Sequence, residues 1–371
     1  MKIAVNTRLL LSGKLEGIGW FSFEVLKWIT QNHPEHEFIF IFDRPYSEEF
    51  IFSKNIKPIV IGPPSRHPLL WYWWFNYSVP KILKQEKADL FFSPDGFLSL
   101  NTSIPQIPII HDLNFEHFPK DLPFSHRTYY RTYFKKYASI AKKIGTVSEY
   151  SKKDICDTYS INPNKISIVY NGVNEQFKPL SVEEINSTKQ KYTESLDYFL
   201  FIGALHPRKN ISRLIKAFDL FKQKTQSNFK LVLAGNKKWW TPEMETALNE
   251  AKYKSDIIFT GRISQEDLLK LMGAAYALTY IPYFEGFGIP IIEGMKAGTA
   301  VITSNFTCMP EVAGDAALLI NPENIESIAG AMIQISNNPD LRKQLIEKGK
   351  HQAKRFSWDK TAEKVWNLIM S

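Results

Sequence analysis

Two carboxylates stand eight positions apart in the stretch Tyr283-Phe284-Glu285-Gly286-Phe287-Gly288-Ile289-Pro290-Ile291-Ile292-Glu293-Gly294. Gly286 and Gly288 permit a sharp turn and a close approach of backbone to a ligand. Pro290 suits the first turn of a helix, where its missing N–H is not needed. Ile291, Ile292, Met295 and Ala297 give that helix a buried face, and Gly298 is placed to end it. The open N–H groups of such a first turn favour an anion such as a pyrophosphate. A carboxylate in the loop and another inside the helix can bind hydroxyls on either side of it. An anion flanked by hydroxyls describes a nucleotide sugar.

A second charged constellation follows the strand-like run Tyr198–Ile202, in Gly203-Ala204-Leu205-His206-Pro207-Arg208-Lys209-Asn210. Arg208 offers a bidentate fork and Lys209 a point charge, both suited to phosphate oxygens at the carboxyl end of a strand. Asn210 reads as the N-cap of the helix that follows. Near the N-terminus, Gly13-Lys14-Leu15-Glu16-Gly17-Ile18-Gly19 reads as a flexible loop before the helix Trp20–Trp28. It is not a dinucleotide-binding Gly-x-Gly-x-x-Gly, because Phe21 and Ser22 occupy the place of the third glycine. The run Ile107–Ile110 ends in His111-Asp112, a pair expected to point into a cleft. For each of these the plain alternative is a solvated loop or a structural histidine.

No Asp-x-Asp metal clamp occurs, and neither does a Gly-x-x-x-x-Gly-Lys-Ser/Thr loop. The charge of a leaving diphosphate therefore falls to Arg208, Lys209 and the helix start near Gly288. The expectation is a site with no cofactor and no obligatory metal.

These residues need strands to carry them. Short β-like runs recur at Ile3–Asn6, Phe38–Phe42, Ile59–Ile61, Leu90–Ser93, Ile107–Ile110 and Ile144–Val147, then at Tyr198–Ile202, Phe229–Leu233, Asp256–Phe259, Ala277–Ile281, Ala300–Thr303 and Ala317–Ile320. Helical patterns lie between them, among them Trp20–Thr30, Tyr77–Lys84, Arg127–Ala141, Ile211–Gln223, Pro242–Ala251 and Gln265–Met272. Alternation of this kind implies α/β domains with doubly wound parallel sheets and ligands at the carboxyl ends of strands. The polar residues 174–196 read as the linker. The predicted domains are 1–174, joined by the amphipathic helix of 357–371, and 175–356.

The 371 residues suffice for two cores, and no apolar run reaches the roughly 18–20 residues of a membrane span. The chain opens directly on a strand-like Lys2-Ile3-Ala4-Val5, which predicts no signal peptide. Cys156 and Cys308 lack metal spacing, and they favour a reducing, cytoplasmic setting. The net charge of +8 divides evenly, with 21 Lys and Arg against 17 Asp and Glu in residues 1–175. Neither half is a nucleic-acid domain. The cationic excess is local: no acid lies between Asp121 and Glu149, while Arg127, Arg131, Lys135, Lys136, Lys142 and Lys143 accumulate. Residues 127–143 are thus a candidate for an anionic membrane surface, which would make the protein peripheral at the inner face, or else a solvated face over core aromatics. The cluster Trp71-Tyr72-Trp73-Trp74-Phe75 with Tyr77 reads first as core, with sugar stacking and lipid headgroups as alternatives.

Together these pieces resemble the retaining glycosyltransferases of family 4. The resemblance rests on Gly17-Ile18-Gly19, His111-Asp112-Leu113, Val147-Ser148-Glu149-Tyr150-Ser151, Asn171-Gly172-Val173, Pro207-Arg208-Lys209-Asn210, Gly261-Arg262, the Glu285/Glu293 pair and Met309-Pro310-Glu311-Val312-Ala313-Gly314, in that order. It implies the GT-B fold, in which two Rossmann-like doubly wound domains face a central cleft and the last helix returns to the first domain. By the same resemblance, Glu293 binds the donor ribose and Glu285 the donor sugar, with Gly286, Phe287, Gly288 and Ile289 donating backbone N–H groups. Arg208 and Lys209 neutralise the diphosphate, His111 lines the reaction centre, Gly17 and Gly19 cover the phosphates, and Arg262 and Ile263 lie near the base. Glu16 and Trp20 depart from one common form of the glycine loop, where glycine and arginine stand.

The implied reaction moves a sugar from a nucleotide-diphosphate sugar, GDP-mannose being preferred, to a glycan or lipid-linked acceptor in surface polysaccharide assembly. A sugar-nucleotide epimerase and a non-catalytic membrane-surface scaffold are the alternatives.

Overall fold

The computed structural model describes residues 1–371. The chain divides into two units, Met1–Gly172 with Ser357–Ser371, and Val173–Phe356. The first holds seven parallel strands: β1 (Lys2–Asn6), β2 (Glu37–Phe42), β3 (Ile56–Val60), β4 (Leu90–Ser93), β5 (Gln106–Ile110), β6 (Ile144–Thr146) and β7 (Ile166–Ile168). Their order across the sheet is β3-β2-β1-β4-β5-β6-β7. The second unit holds β8 (Tyr198–Ile202), β9 (Lys230–Ala234), β10 (Ile257–Gly261), β11 (Ala277–Tyr280), β12 (Ala300–Ser304) and β13 (Ala317–Ile320), in the order β10-β9-β8-β11-β12-β13.

Both sheets thus reverse direction beside their first strand, between β1 and β4 in one and between β8 and β11 in the other. Such a switch point leaves a crevice where the loops at the carboxyl ends diverge. Runs such as Phe38-Ile39-Phe40-Ile41-Phe42 and Tyr198-Phe199-Leu200-Phe201 are buried on both faces. Continuous apolar strands of this kind are what helices on both sides of a parallel sheet demand.

Three expectations change. The segment 174–196 is not a plain linker, because Val182–Thr193 is a helix of the second unit. Ser181 and Glu184 form a capping box that starts it, and Leu180 packs so closely on Gly273 that a β-carbon there would lie 2.6 Å from it. The residues Gly17-Ile18-Gly19 are not a loop but the first turn of the helix Gly17–Asn32. Gly19 is buried, where a β-carbon would sit tightly against the Leu9 carbonyl at 3.1 Å and Leu15 at 3.2 Å, whereas Gly17 faces open space. The aromatic cluster is divided: Trp71, Trp74 and Phe75 are core, while Tyr72, Trp73 and Tyr77 are exposed.

The second sheet has its own glycine requirement at Gly235, just after β9. A β-carbon there would collide with the carbonyl oxygen of Gly203, at the end of β8. The Gly203 N–H already donates to the Ala234 carbonyl at 3.0 Å, so the two loops cannot separate without losing that bond. Gly235→Ala should therefore destabilise the protein by about 2 kcal/mol or more, as other backbone-level clashes do. Urea unfolding checks it, and an unchanged midpoint would mean that the loops part freely.

The C-terminal helix Trp358–Met370 lies on the helix Gly17–Asn32 in the first unit. Trp366 stacks on His33 with centroids 3.9 Å apart, and Trp358 meets Phe21 edge-on at 6.2 Å.

Candidate active site

The loops after β8 and β11 flank the switch point of the second sheet, and their charged residues meet there. Pro207–Lys209 forms a short 3-10 turn, and the Tyr283 N–H donates to the Arg208 carbonyl at 3.1 Å, tying loop to loop. The carboxylate of Glu285 pairs with the Arg208 guanidinium at 2.7 Å and with the Lys209 ammonium. Tyr280, the last residue of β11, donates its hydroxyl to the same Glu285 oxygen at 3.1 Å and also receives a bond from Lys209.

Burial alone would raise the pKa of Glu285, which is 7% exposed. The two cations outweigh that and hold it at about 2. Glu285 is therefore a fixed carboxylate at any physiological pH. Burial, with Glu285 adding to it, pushes the Tyr280 hydroxyl well above its ordinary value, so it stays protonated and donates.

Asn210 stands at the start of the helix Ile211–Thr225 in a left-handed conformation with φ of 66°, and its side chain does not cap that helix. The expected N-cap is replaced by a longer reach. Its Nδ2 donates to the carbonyls of Ile281 at 3.2 Å and Pro322 at 2.6 Å, so one side chain straps the loops after β8, β11 and β13 together.

Gly288 has φ of 89°, and a β-carbon there would lie 2.7 Å from the Met309 methyl. It starts the helix Ile289–Lys296, whose second residue is Pro290 and whose Ile291 N–H donates back to the Gly288 carbonyl at 3.0 Å. Phe287 and Gly286 are buried beside it, and Ile289 is half-buried. Glu293, one turn into that helix, has neither hydrogen bond nor ion pair, and burial pushes it up to about 7. The structure thus separates the two carboxylates by state, one clamped and ionised, one unpartnered and close to neutral pH.

Arg262 and Ile263, expected near the base, lie outside the loops after β8 and β11 in sequence. They follow β10, the edge strand two places from β8, and Arg262 is exposed.

In the first unit, His111 follows β5. Its Nε2 must donate to the Pro94 carbonyl at 2.8 Å, because a carbonyl can only accept, which leaves Nδ1 as an acceptor. Burial holds the imidazole below its ordinary pKa against the opposing pull of the Pro94 carbonyl and Asp112, so it is neutral at pH 7. Phe21, from the helix that Gly17 and Gly19 begin, packs edge-on against it at 5.0 Å. Beneath lies a network that motif reading missed. At the β1/β4 switch point Asp95 accepts from Asn6 Nδ2 at 2.7 Å and from Arg8 Nε at 2.6 Å, and the Arg8 guanidinium lies 4.1 Å from the Phe97 centroid. The available signal was topological, since Asn6 ends β1 while Arg8 and Asp95 each stand two residues beyond the strands that flank the reversal.

Two doubly wound parallel sheets on one chain, with cations and an open helix start gathered at the switch point of the second, define the GT-B class of glycosyltransferases. Residues 17–177 match the family described as Glycosyltransferase Family 4, and residues 182–352 match Glycosyl transferases group 1. The chain belongs to this group 1, family 4 lineage of glycosyltransferases.

It is similar to the O-antigen chain mannosyltransferase B of Escherichia coli, with 30% identity over 77% of this chain and 75% of that one. It is also similar to the O-antigen chain mannosyltransferase RfbU of Salmonella typhimurium, with 27% identity over 87% of each. Among solved structures, WaaG, a glycosyltransferase involved in lipopolysaccharide biosynthesis, superposes with a TM-score of 0.76 at 18% identity, over the full length of both chains. Anabaena HepE in complex with UDP-glucose gives 0.77 at 16% identity over 100% of this chain and 99% of that one, a likeness of fold. No helix is long and apolar enough to cross a membrane.

Proposed function

We propose that this protein is a retaining, metal-independent hexosyltransferase that moves mannose from GDP-mannose to a glycan or lipid-linked acceptor, on the cytoplasmic side, in assembly of a surface polysaccharide. The observation that carries the reading is the Arg208–Lys209–Glu285 cluster beside the Gly288 helix start, with the unpartnered Glu293 one turn further on. Two O-antigen mannosyltransferases among the relatives support the choice of sugar and of product class.

The chemistry follows from charge. Breaking a glycosyl–phosphate bond leaves negative charge on the diphosphate and positive charge on the sugar. Catalysis therefore asks for preorganised cations at the leaving group. Arg208 and Lys209 are such cations, and the positive end of the helix that starts after Gly288 adds to them. Glu285, held ionised between them, is suited to orient sugar hydroxyls and to offset the developing oxocarbenium charge. With its pKa near 2 it is a poor proton acceptor. The proton of the attacking hydroxyl is then taken by the departing phosphate on the same face, which preserves the anomeric configuration. Glu293 binds the ribose diol of the donor, and His111, neutral with Nδ1 as an acceptor, serves the hydroxyls of donor sugar or acceptor.

GDP- and UDP-sugars should be screened for thermal stabilisation, where a ligand at 100 times its Kd adds about 2.7 kcal/mol. GDP-mannose is expected to give the largest shift, and the product anomer, read by NMR, should keep the donor configuration in the presence of EDTA. Inversion of configuration, or loss of turnover on chelation, would overturn the mechanism. A larger shift with another sugar nucleotide would overturn the donor.

A further inference from the structure

The exposed half of the aromatic cluster belongs to a continuous surface. Residues Pro68–Glu86 run as one helical rod with a π-helical turn over Trp74–Ser78. On its inner side Trp71, Trp74, Phe75, Val79 and Leu83 are buried. On the outer side Leu69 is 76%, Trp73 53% and Tyr77 48% exposed, with Lys81 and Lys84 following in line. The π turn sets this division. It places Asn76 inside, where its side chain donates to Tyr72 O at 3.0 Å and accepts from Leu100 N–H at 2.8 Å. Tyr77 is left outside, with its ring 4.7 Å from that of Trp73. An isolated monomer in water gains nothing by exposing three large apolar side chains in a row.

The stripe continues onto the neighbouring helix Phe124–Ile140. Tyr72 lies 5.7 Å from Tyr133, and the Lys136 ammonium sits 5.4 Å from the Tyr133 centroid. Beyond the crest of that helix is an open cavity of about 670 Å³ lined by Lys120, Arg127, Arg131 and Lys135. Its one acid, Glu116, is already bonded by Arg131 and Tyr159, each at 3.0 Å. Charge along the chain matches this picture: no Asp or Glu occurs between Glu49 and Glu86, nor between Asp121 and Glu149. The two acid-free stretches are the two that pack together here.

We infer that this face docks on an anionic lipid bilayer, with Leu69, Trp73 and Tyr77 entering the interfacial layer and Lys81, Lys84, Arg127 and Lys135 meeting lipid phosphates. Apolar and aromatic side chains ringed by cations are what such an interface accepts. The charge argues against a second copy as the occupant, because a two-fold contact would set cations against cations. The inference relocates the membrane contact. The stretch 127–143 supplies charge, but the inserting residues come from 69–77.

The test is co-sedimentation of the full chain with vesicles of phosphatidylcholine, alone or with about one third phosphatidylglycerol. Binding should require the anionic lipid and weaken as NaCl rises from about 0.1 to 1 M, over which the screening length drops from ~10 to ~3 Å. The exposed triple substitution Leu69→Ser, Trp73→Ser, Tyr77→Ser, and separately Lys81→Gln with Lys84→Gln, should each lower the partition coefficient about tenfold or more. Both variants should keep the donor-induced thermal shift of the parent, which certifies their folding and leaves the donor assignment to its own test. Vesicle binding that either variant leaves unchanged would overturn the inference. So would absence of binding to anionic vesicles, or a concentration-dependent dimer abolished by the triple substitution.

Discussion

Lys209→Ala is expected to lower the transfer rate about 10²–10³-fold, the usual loss when one preorganised donor to a developing anion is removed. Donor affinity should change less, since Arg208 and the helix start still receive the diphosphate. Lys209 also has a structural duty. It is only 12% exposed and helps neutralise a Glu285 that is itself nearly inaccessible. Removing one partner of a buried charge commonly costs about 3–5 kcal/mol, moderated here because Arg208 remains at 2.7 Å. A loss of activity alone would therefore be ambiguous. The double variant Lys209→Ala, Glu285→Gln apportions only the stability, because the neutral amide no longer needs the ammonium, and its melting temperature should recover towards that of the parent. The rate is read on Lys209→Ala well below its own melting temperature, and a rate equal to the parent's there would reduce Lys209 to a support for Glu285.

Glu293→Gln should weaken donor binding and stabilise the free protein at the same time. The folded-state pKa of Glu293 is raised from an ordinary 4.5 to about 7, by burial alone. A group raised in this way is protonated in the folded protein and ionised in the unfolded chain between those two values. The folded state thus loses stability as pH climbs from about 4.5 through 7, and the loss is complete above it. At about 1.36 kcal/mol per pKa unit, the ionised carboxyl costs about 3 kcal/mol at pH 8. Glutamine has no charge to desolvate, so its advantage should be that large at pH 8 and vanish near pH 4. Donor affinity moves the other way. A carboxylate grips a diol through charged hydrogen bonds worth about 1.5–3 kcal/mol each, and an amide does not. A fall of about tenfold or more in donor affinity at pH 8 is expected by calorimetry. Equal urea midpoints for parent and variant at both pH values would show that the carboxyl is wet.

Much of the scaffold was legible because the strands are buried on both faces, and runs such as Phe38–Phe42 and Tyr198–Ile202 contain little else than apolar residues. Strand β7 was missed: three residues, one of them exposed, carry no pattern. The helix Val182–Thr193 passed for a linker because it buries only Thr188 and Thr193, neither of them apolar. Its signal was the Ser181…Glu184 spacing of a capping box. The glycines at 17 and 19 looked like loop residues, whereas both lie in the first turn of a helix and Gly19 sits tightly against the Leu9 carbonyl.

At the candidate site, the residue types and their strand ends could be read, but the pairing could not. Glu285 meets Arg208 and Lys209 from 77 and 76 positions away, and nothing local announces that this carboxylate will rest between the two cations. Tyr280 was hidden for the same reason, as its strand position made it look like core. The aromatic run at 71–77 misled because its π turn breaks the 3.6-residue period on which a core assignment depends.

The strap made by Asn210 bears on thermodynamics of a different kind. Because one amide grips the carbonyls of Ile281 and Pro322, three strand ends are immobilised when the protein folds and not when a ligand arrives. The conformational entropy that a floppy phosphate loop surrenders on binding has here already been surrendered during synthesis of the native state. Under the proposed function, nucleotide recognition at these strand ends is in that sense a lock cut in advance, and a warmer solution should loosen the grip on the donor little more than it loosens the fold itself.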